Sequence, residues 1–372
     1  MSKPDEKEEL SKLRDGIDAI DSEVLRLINE RAKIAHRIGE IKQGVIYRPE
    51  REAQVLRRLA ESNPGPLSAE AVQRISREIM SACLALEQPL RIAYLGPAGT
   101  YTESAAQKHF GAAPALNSLS SIDDVFRAVE AGNVDYGVIP VENSTEGAVG
   151  RSLDLLLNSP LQVCGEVHLP IHHNLMSTAS SLSDITRVLA HSQSLSQCHE
   201  WLNRNLPNAE RVAVTSNAEA ANLVAHPGPK AGLPPQSGVT AAIAGDAAAR
   251  LYALNVLASN IEDSPDNTTR FLILAAHDAG RSGKDKTSLV CSAQNRPGAV
   301  HELLTPFAKN KVSMTRFESR PAKGLGGGKW EYVFYVDIEG HREDASVAAA
   351  LAELGSKASF VKILGSYPVA PY

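Results

Sequence analysis

Cysteine is scarce in this chain. The four present among 372 residues (Cys83, Cys164, Cys198, Cys291) are scattered, with no CxxC pair. That argues against a disulfide framework and a zinc knuckle, and suits buried thiols in a reducing cytoplasm. Aromatic residues make up only 5%, there is no basic run and the formal net charge is −5, so nothing points to nucleic acid. No apolar run approaches the ~18 residues that read as a membrane span. Met1-Ser2-Lys3-Pro4-Asp5-Glu6-Lys7 has no apolar segment of the secretory kind. No GxGxxG follows a strand and there is no Walker lysine, which argues against nucleotide binding. No long repeat recurs. What remains is ordinary soluble composition, 43% hydrophobic and 22% charged, at a length that suits two or three domains.

The first segment is helical. Leu10, Leu13, Ile17, Ile20, Val24, Leu27, Arg31, Ile34, Ile38 and Ile41 alternate three and four apart, the period of a helix packed along a seam. A helix from Glu8 to Lys42 would run roughly 50 Å at ~1.5 Å per residue, too long for a small domain to bury alone, so a partner chain is expected. Arg31 stands in the stripe, and Arg14 and Lys42 flank it. A guanidinium in such a seam needs an anion to offset its desolvation. Pro49 begins a second helix with Val55, Leu56 and Leu59 on its buried face. Arg48, Arg51 and Glu52 lie on or beside that face. After Asn63-Pro64-Gly65-Pro66, Ser68 caps a third helix, whose inward residues are Val72, Ile75, Ile79, Met80, Cys83 and Leu86, with Glu87 four beyond Cys83.

This segment resembles the all-helical class of chorismate mutase on Leu13-Arg14, Glu30-Arg31, Ile41-Lys42, Arg51-Glu52 and Ala85-Leu86-Glu87-Gln88. The resemblance implies an intertwined dimer in which Arg14 reaches the partner's pocket. It implies that Arg14, Arg31 and Arg51 hold the carboxylates of chorismate. Lys42 and Glu87 would donate to the ether oxygen, and Glu52 would hold the ring hydroxyl. A unimolecular rearrangement needs clamping and a fixed positive field rather than a nucleophile, which suits this residue set. Glu87 donates only when protonated, which implies acid preference or a raised pKa.

At Pro89 the texture changes to short strands alternating with helices, a parallel α/β pattern. Arg91 to Leu95 reads as a strand, then Gly96-Pro97-Ala98-Gly99-Thr100 as a turn into a helix from about Glu103. Ser121-Ile122-Asp123-Asp124 reads as a capping box. The strand Asp135 to Val141 ends in Glu142-Asn143-Ser144-Thr145-Glu146-Gly147, at the edge where open α/β sheets bind ligands. Val188 to His191 is another strand, followed by a helix from near Ser194 that carries Gln197. Asp266-Asn267-Thr268-Thr269-Arg270-Phe271 enters a strand Leu272 to Leu274. His172 and His173 are neighbours that a strand would point apart, with no carboxylate cluster beside them, so no metal and no cofactor are expected. Residues 218–238, rich in proline and glycine, read as a surface loop.

Thr269-Arg270-Phe271, Gly96-Pro97-x-Gly99-Thr100, Val141-Glu142-Asn143-Ser144 and His191-x-Gln193-x-x-x-Gln197-Cys198 together resemble prephenate dehydratase. This implies two α/β lobes of the periplasmic-binding-protein kind with a site in the cleft. By that resemblance Thr269 hydrogen-bonds the leaving hydroxyl. Glu142, Asn143, Ser144 and Gln197 position the substrate, and Arg270 meets a carboxylate or braces the cleft.

After a Gly-rich linker, His277 to Asp285, the order is strand, helix, strand, strand, helix, strand. Thr287 to Ser292, Asn295-Arg296-Pro297-Gly298-Ala299-Val300, Glu318-Ser319-Arg320-Pro321, Trp330 to Ile338, Ala345 to Leu354 and Phe360 to Leu364 carry it. This α+β, βαββαβ order resembles the ACT regulatory module. Asn295, Gly298 and Ala299 with Glu318, Ser319 and Arg320 resemble its phenylalanine-sensing motifs. Gly324 to Gly328 reads as a hairpin loop.

The expected organisation is a helical domain over residues 1–89, a dehydratase domain over 90–277 and an ACT domain over 286–372. The resemblances imply a cytoplasmic homodimer or larger that converts chorismate to prephenate, then prephenate to phenylpyruvate, with phenylalanine as effector. Nucleic-acid and membrane partners are not expected. The rivals are a monofunctional dehydratase with a helical dimerisation arm, a two-lobed solute-binding protein fused to a regulatory module, and a dehydratase acting on arogenate.

Overall fold

The computed structural model describes residues 3–41, 47–228, 238–294, 296–321 and 332–370. Lys42, Asn295 and the 324–328 loop lie outside them. The chain forms two compact units. One comprises Met1–Arg48, Val55–Leu90 and Phe110–Pro114, the other Pro49–Gln54, Arg91–His109 and Ala115–Tyr372.

The helical segment contains α1 (Lys3–Ile41), α2 (Pro49–Glu61) and α3 (Ala69–Ala85). Pro49 occupies the first turn of α2. The Ser68 hydroxyl caps α3 by accepting from the Ala71 amide at 3.2 Å. The nine apolar members of the α1 stripe are 45–74% exposed. Ile75 and Leu86, expected inward, are exposed as well. Helix α3 stops at Ala85, so Glu87 sits in the turn beyond it rather than on a helical face. A Cβ added to Gly39 of α1 would stand 2.5 Å from Glu87 Oε2, so Glu87 lies against the end of α1.

The second unit opens with β1 (Arg91–Leu95), α4 (Tyr101–Phe110, of which Phe110 clusters with the other unit), β2 (Ala115–Leu119) and α5 (Ile122–Glu130). It continues with β3 (Tyr136–Asn143), β4 (Gly147–Ala148), α6 (Gly150–Asn158) and β5 (Gln162–Pro170). A second lobe follows, with β6 (Asn174–Ser177), β7 (Ile185–His191), α7 (Ser192–Gln197), α8 (His199–Asn205), β8 (Glu210–Val214), α9 (Asn217–Ala225), β9 (Val239–Ala244), α10 (Asp246–Leu251) and β10 (Asn255–Ala258). The chain then returns to the first lobe as β11 (Thr268–Ala275). The sheets run β2-β1-β3-β11-β5 and β10-β6-β9-β7-β8. Both are mixed rather than parallel: β11 is antiparallel to β3 and β5, and β6 is antiparallel to β9 and β10. A chain that crosses between lobes twice must reverse direction on its return, which the parallel expectation did not include. Residues 217–225 are helical, not loop, because Ala218, Ala220, Ala221, Leu223 and Val224 are buried.

The C-terminal module comprises β12 (Asp285–Ser292), α11 (Ala299–Lys309), β13 (Met314–Pro321), β14 (Tyr332–Glu339), α12 (Ala345–Lys357) and β15 (Phe360–Pro368), with sheet order β13-β14-β12-β15. Strand alternation gives this sheet two cores. Leu289, Cys291, Val336 and Ile338 pack with Leu303, Phe307 and Leu354 of its own helices. Val290, Val333, Tyr335, Leu364 and Tyr367 instead join Ile139, Leu153, Leu156 and Val163 of the first lobe. Gly365 permits that junction, because a Cβ there would stand 2.0 Å from the Val163 carbonyl oxygen. Gly365→Ala should therefore cost about 2 kcal/mol or more of stability, read as a lowered urea midpoint.

Candidate active sites

A cleft of about 420 Å³ opens between the two lobes. Thr100, Tyr101, Asn143, Glu146, Thr269 and Phe271 line it from the first lobe. His191, Gln193, Ser194, Gln197 and Asn217 line it from the second, with His173 and Asn267 at the crossings. Helices α4 and α9 both begin at this cleft, after β1 and β8. Their N-terminal amides give it a positive character. Among the described lining residues there is no arginine or lysine and one carboxylate, Glu146.

Asn143 ends β3 and Thr269 lies opposite it on β11. The Asn143 amide Nδ2 donates to Thr269 Oγ1 at 2.8 Å and to Asn267 Oδ1 at 2.7 Å. Its Oδ1 accepts from the Thr145 and Glu146 amides at 3.0 and 3.1 Å. The Thr269 hydroxyl therefore accepts from behind and keeps its proton for whatever occupies the cleft. Gln197 reaches across from the second lobe. Its Nε2 donates to Thr145 Oγ1 and Glu146 Oε1, both at 3.3 Å. Its Oε1 lies 2.8 Å from His173 Nε2, and His173 Nδ1 lies 2.8 Å from the Tyr101 hydroxyl. Burial lowers the His173 pKa against the opposing hydrogen bond to Gln197, and burial raises that of Tyr101 well above the usual range. A neutral His173 with its proton on Nε2 donates to Gln197, while the single Tyr101 hydroxyl proton is shared between His173 Nδ1 and the His172 carbonyl, which also lies 2.8 Å away. Sequence pattern does not mark Tyr101, His173 or Asn267 as site residues: His173 stands out only as a candidate metal ligand, and Asn267 only as a neighbour of Thr269.

Three expected residues do not line the cleft. Ser144 Oγ instead accepts from the Thr268 amide at 2.9 Å and donates to the Asp266 carbonyl at 3.2 Å, clamping the β3–β11 connection. Arg270 belongs to the strand proper, which begins at Thr268 rather than Leu272. Side chains alternate along it, so Arg270 faces away from Thr269. It is buried, donating to Glu166 at 2.8 Å, Asp337 at 2.5 Å and the Tyr367 hydroxyl at 2.9 Å. Glu142 lies on that same side, 2.8 Å from Arg316. Burial of Glu166 opposes its ionisation, but His168, Arg270 and Lys286 hold its pKa far below the usual carboxylate value.

In the helical segment Arg14 and Arg31 lie exposed on α1, Arg51 is exposed and Glu52 half-buried on α2, and Glu87 is half-buried. In the C-terminal module Gly298 precedes α11 with φ of 80°, and Ala299 starts that helix. Glu318, Ser319 and Arg320 end the edge strand β13. Ser292 and Arg320 both register with Val333 of β14. The turn into α11 and the end of β13 therefore share one end of the sheet.

Fold and cleft define a two-lobed α/β protein with a polar cleft sized for a small molecule, joined to a βαββαβ module and a helical segment. Residues 92–279 match the family described as prephenate dehydratase, 13–88 chorismate mutase type II and 287–356 the ACT domain. The chain is 56% identical to the bifunctional chorismate mutase/prephenate dehydratase of Neisseria gonorrhoeae, over 96% of each chain. It is 49% identical to that of Stutzerimonas stutzeri, over 98% of this chain and 99% of the other. The solved prephenate dehydratase of Arthrobacter aurescens in complex with L-Phe superposes with a TM-score of 0.66 at 34% identity, covering 75% of this chain and 90% of that one. The chain belongs to the bifunctional chorismate mutase/prephenate dehydratase family, and it is an enzyme carrying both catalytic domains. No helix among the described residues is long and apolar enough to cross a membrane.

The depressed pKa of Glu166 has a pH consequence. Its ion pairs stabilise the fold fully above the unfolded carboxylate value of about 4.3, and that contribution is lost as pH falls toward the lower folded value. The urea midpoint should fall as the pH is lowered past that unfolded value. Glu166→Gln should start lower and show a flatter acid limb.

Proposed function

We propose that this chain rearranges chorismate to prephenate in its helical domain and converts prephenate to phenylpyruvate in the two-lobed cleft. L-phenylalanine is its feedback effector. The reading of the cleft rests chiefly on the Thr269 hydroxyl, which accepts from Asn143 and is left to donate inward.

The dehydratase reaction removes carbon dioxide and hydroxide, so prephenate and one proton yield phenylpyruvate, carbon dioxide and water. Decarboxylation supplies the electrons that aromatise the ring. Thr269 hydrogen-bonds the departing ring hydroxyl. A threonine is too weak an acid for full proton transfer, so its contribution is stabilisation of developing charge. The substrate's carboxylates meet the N-termini of α4 and α9 rather than a cation. Asn143 and Gln197 orient the substrate and close the mouth. Ser144, Glu142 and Arg270 hold the strands behind. A carboxylate bound by amides alone can depart as carbon dioxide without breaking a strong ion pair.

For the mutase, Arg14 and Arg31 are 17 positions apart on one helix, roughly 25 Å at ~1.5 Å per residue. One small dianion cannot bridge them within a chain. Arg14 therefore serves the pocket of a partner chain, and the exposed α1 stripe is the surface that partner covers. Arg31, Arg51 and the partner's copy of the Arg14 position hold the carboxylates. Lys42 and Glu87 donate to the ether oxygen, and Glu52 holds the ring hydroxyl. For the effector, Gly298 and Ala299 act with Glu318, Ser319 and Arg320 at one end of the ACT sheet, and Asn295 belongs to the same motif.

An absorbance assay of the purified chain tests the reading. Phenylpyruvate should form from chorismate and from prephenate, with phenylalanine suppressing both. Turnover of prephenate but not chorismate would reduce the helical segment to a scaffold. Thr269→Val should lower dehydratase kcat by about 10²-fold or more and spare the mutase, whereas Thr269→Ser should retain most activity. Sedimentation should give at least a dimer. Val24→Glu, which puts a charge in the α1 stripe, should shift it toward monomer with loss of mutase activity.

A further inference from the structure

Four charged side chains form a square between the ACT sheet and the catalytic strands, with three sides made by ion pairs and the fourth by strand register alone. Arg316 of β13 lies 2.8 Å from Glu142 of β3, and Arg270 of β11 donates to Asp337 of β14 at 2.5 Å. The other two sides are cross-strand neighbours. Glu142 registers with Arg270, 3.8 Å away, and Arg316 registers with Asp337. Charges alternate around the square, and only Glu142 has substantial exposure, at 36%. Both ladders change register beside it, between Arg270 and Phe271 and between Met314 and Arg316. Bulges of this kind mark where a strand is re-aimed.

Each first-lobe member adjoins a cleft residue. Glu142 precedes Asn143 and Arg270 follows Thr269, the hydrogen-bonded pair on which the dehydratase reading depends. On the ACT side, Arg316 stands two residues before Glu318 and four before Arg320. Strand alternation puts these three on one face, and Arg320 lies 3.5 Å from Asp154 of α6. The strand bearing the effector motif is therefore tied by charge to the strand bearing Asn143.

We propose that Arg316 and Asp337 are positioning residues for the dehydratase reaction, and that this square couples occupation of the effector site to the placement of Thr269. When an effector draws the end of β13, Arg316 moves Glu142 while Asp337 still holds Arg270. The Asn143–Thr269 pair then shifts between them. A misplacement near 1 Å costs on the order of 10²-fold in rate, so a small strand movement suffices for inhibition. This rests on the reading that phenylalanine is the effector.

The test uses the full chain with Arg316→Gln, Glu142→Gln, their double variant and Arg316→Lys. It measures kcat and KM on prephenate, half-inhibition by phenylalanine, and phenylalanine binding by calorimetry, with the mutase rate as a folding control. Arg316→Gln should lower dehydratase kcat about tenfold with KM within about twofold. Its half-inhibitory phenylalanine concentration should rise about fivefold or more while binding stays within about twofold, the mark of lost coupling rather than a lost site. Arg316→Lys should restore most of both, and the double variant should be no worse than the worse single. Unchanged kcat and inhibition, additive losses in the double variant, or inhibition that weakens in step with binding would each overturn the proposal. If Arg316→Gln also loses the mutase rate, Asp337→Asn is put through the same measurements and decides. If phenylalanine neither binds nor inhibits the parent chain, the effector reading falls, and non-additivity in kcat still decides whether the square positions Thr269.

Discussion

Side chains on a strand alternate between its faces, and the dehydratase–ACT unit depends on that alternation at Thr269 and Arg270. One residue faces the cleft, where Asn143 holds its hydroxyl oxygen and leaves its proton inward. The next faces the ACT sheet, where a buried guanidinium is met by Glu166, Asp337 and Tyr367. Desolvating an arginine is costly unless several acceptors surround it. Here those acceptors come from β5, β14 and β15, so strands from two domains must assemble before β11 can sit where it does. The shared apolar core, with Tyr335 and Tyr367 beside Leu153 and Ile139, serves the same junction.

The cleft has a complementary economy. It holds no arginine or lysine among its described lining residues, although its proposed substrate is a dianion. Helix N-termini and side-chain amides supply the positive field instead. The proposed mutase site relies on arginines and a lysine. The difference follows from the chemistry: a rearrangement keeps both carboxylates and benefits from clamping them, whereas a decarboxylation must release one.

Much of this was legible in the residue order. The three-and-four spacing of α1, the Ser68 and Ser121 caps, Pro49 at the start of α2 and the βαββαβ order of the last segment stand where local chemistry placed them. Asn143, Gln197 and Thr269 could be named from short motifs because a strand-ending loop carries its own turn chemistry. The residue order leaves Arg270 unoriented, since its pattern starts the strand at Leu272 rather than Thr268, and the four extra strand residues decide which neighbour faces in. His173 and Tyr101 were missed because their significance lies in contacts with each other and with Gln197, separated by 72 and 24 positions. The alanine-rich helix at 217–225 was obscured by the prolines that follow it.

The sequence by itself determined the kinds of elements, their order and the chemical classes of side chain available, because propensity, capping and periodicity act over a few residues. Only the tertiary structure decided which face each strand residue shows, that the two α/β sheets are mixed, and that Glu142 and Arg270 face an ACT sheet instead of the cleft. Those outcomes depend on where a twice-crossing chain returns and on which charges it can neutralise when it arrives. Asp337 meets Arg270 across 67 positions of chain, a pairing set by packing rather than by either residue's neighbours.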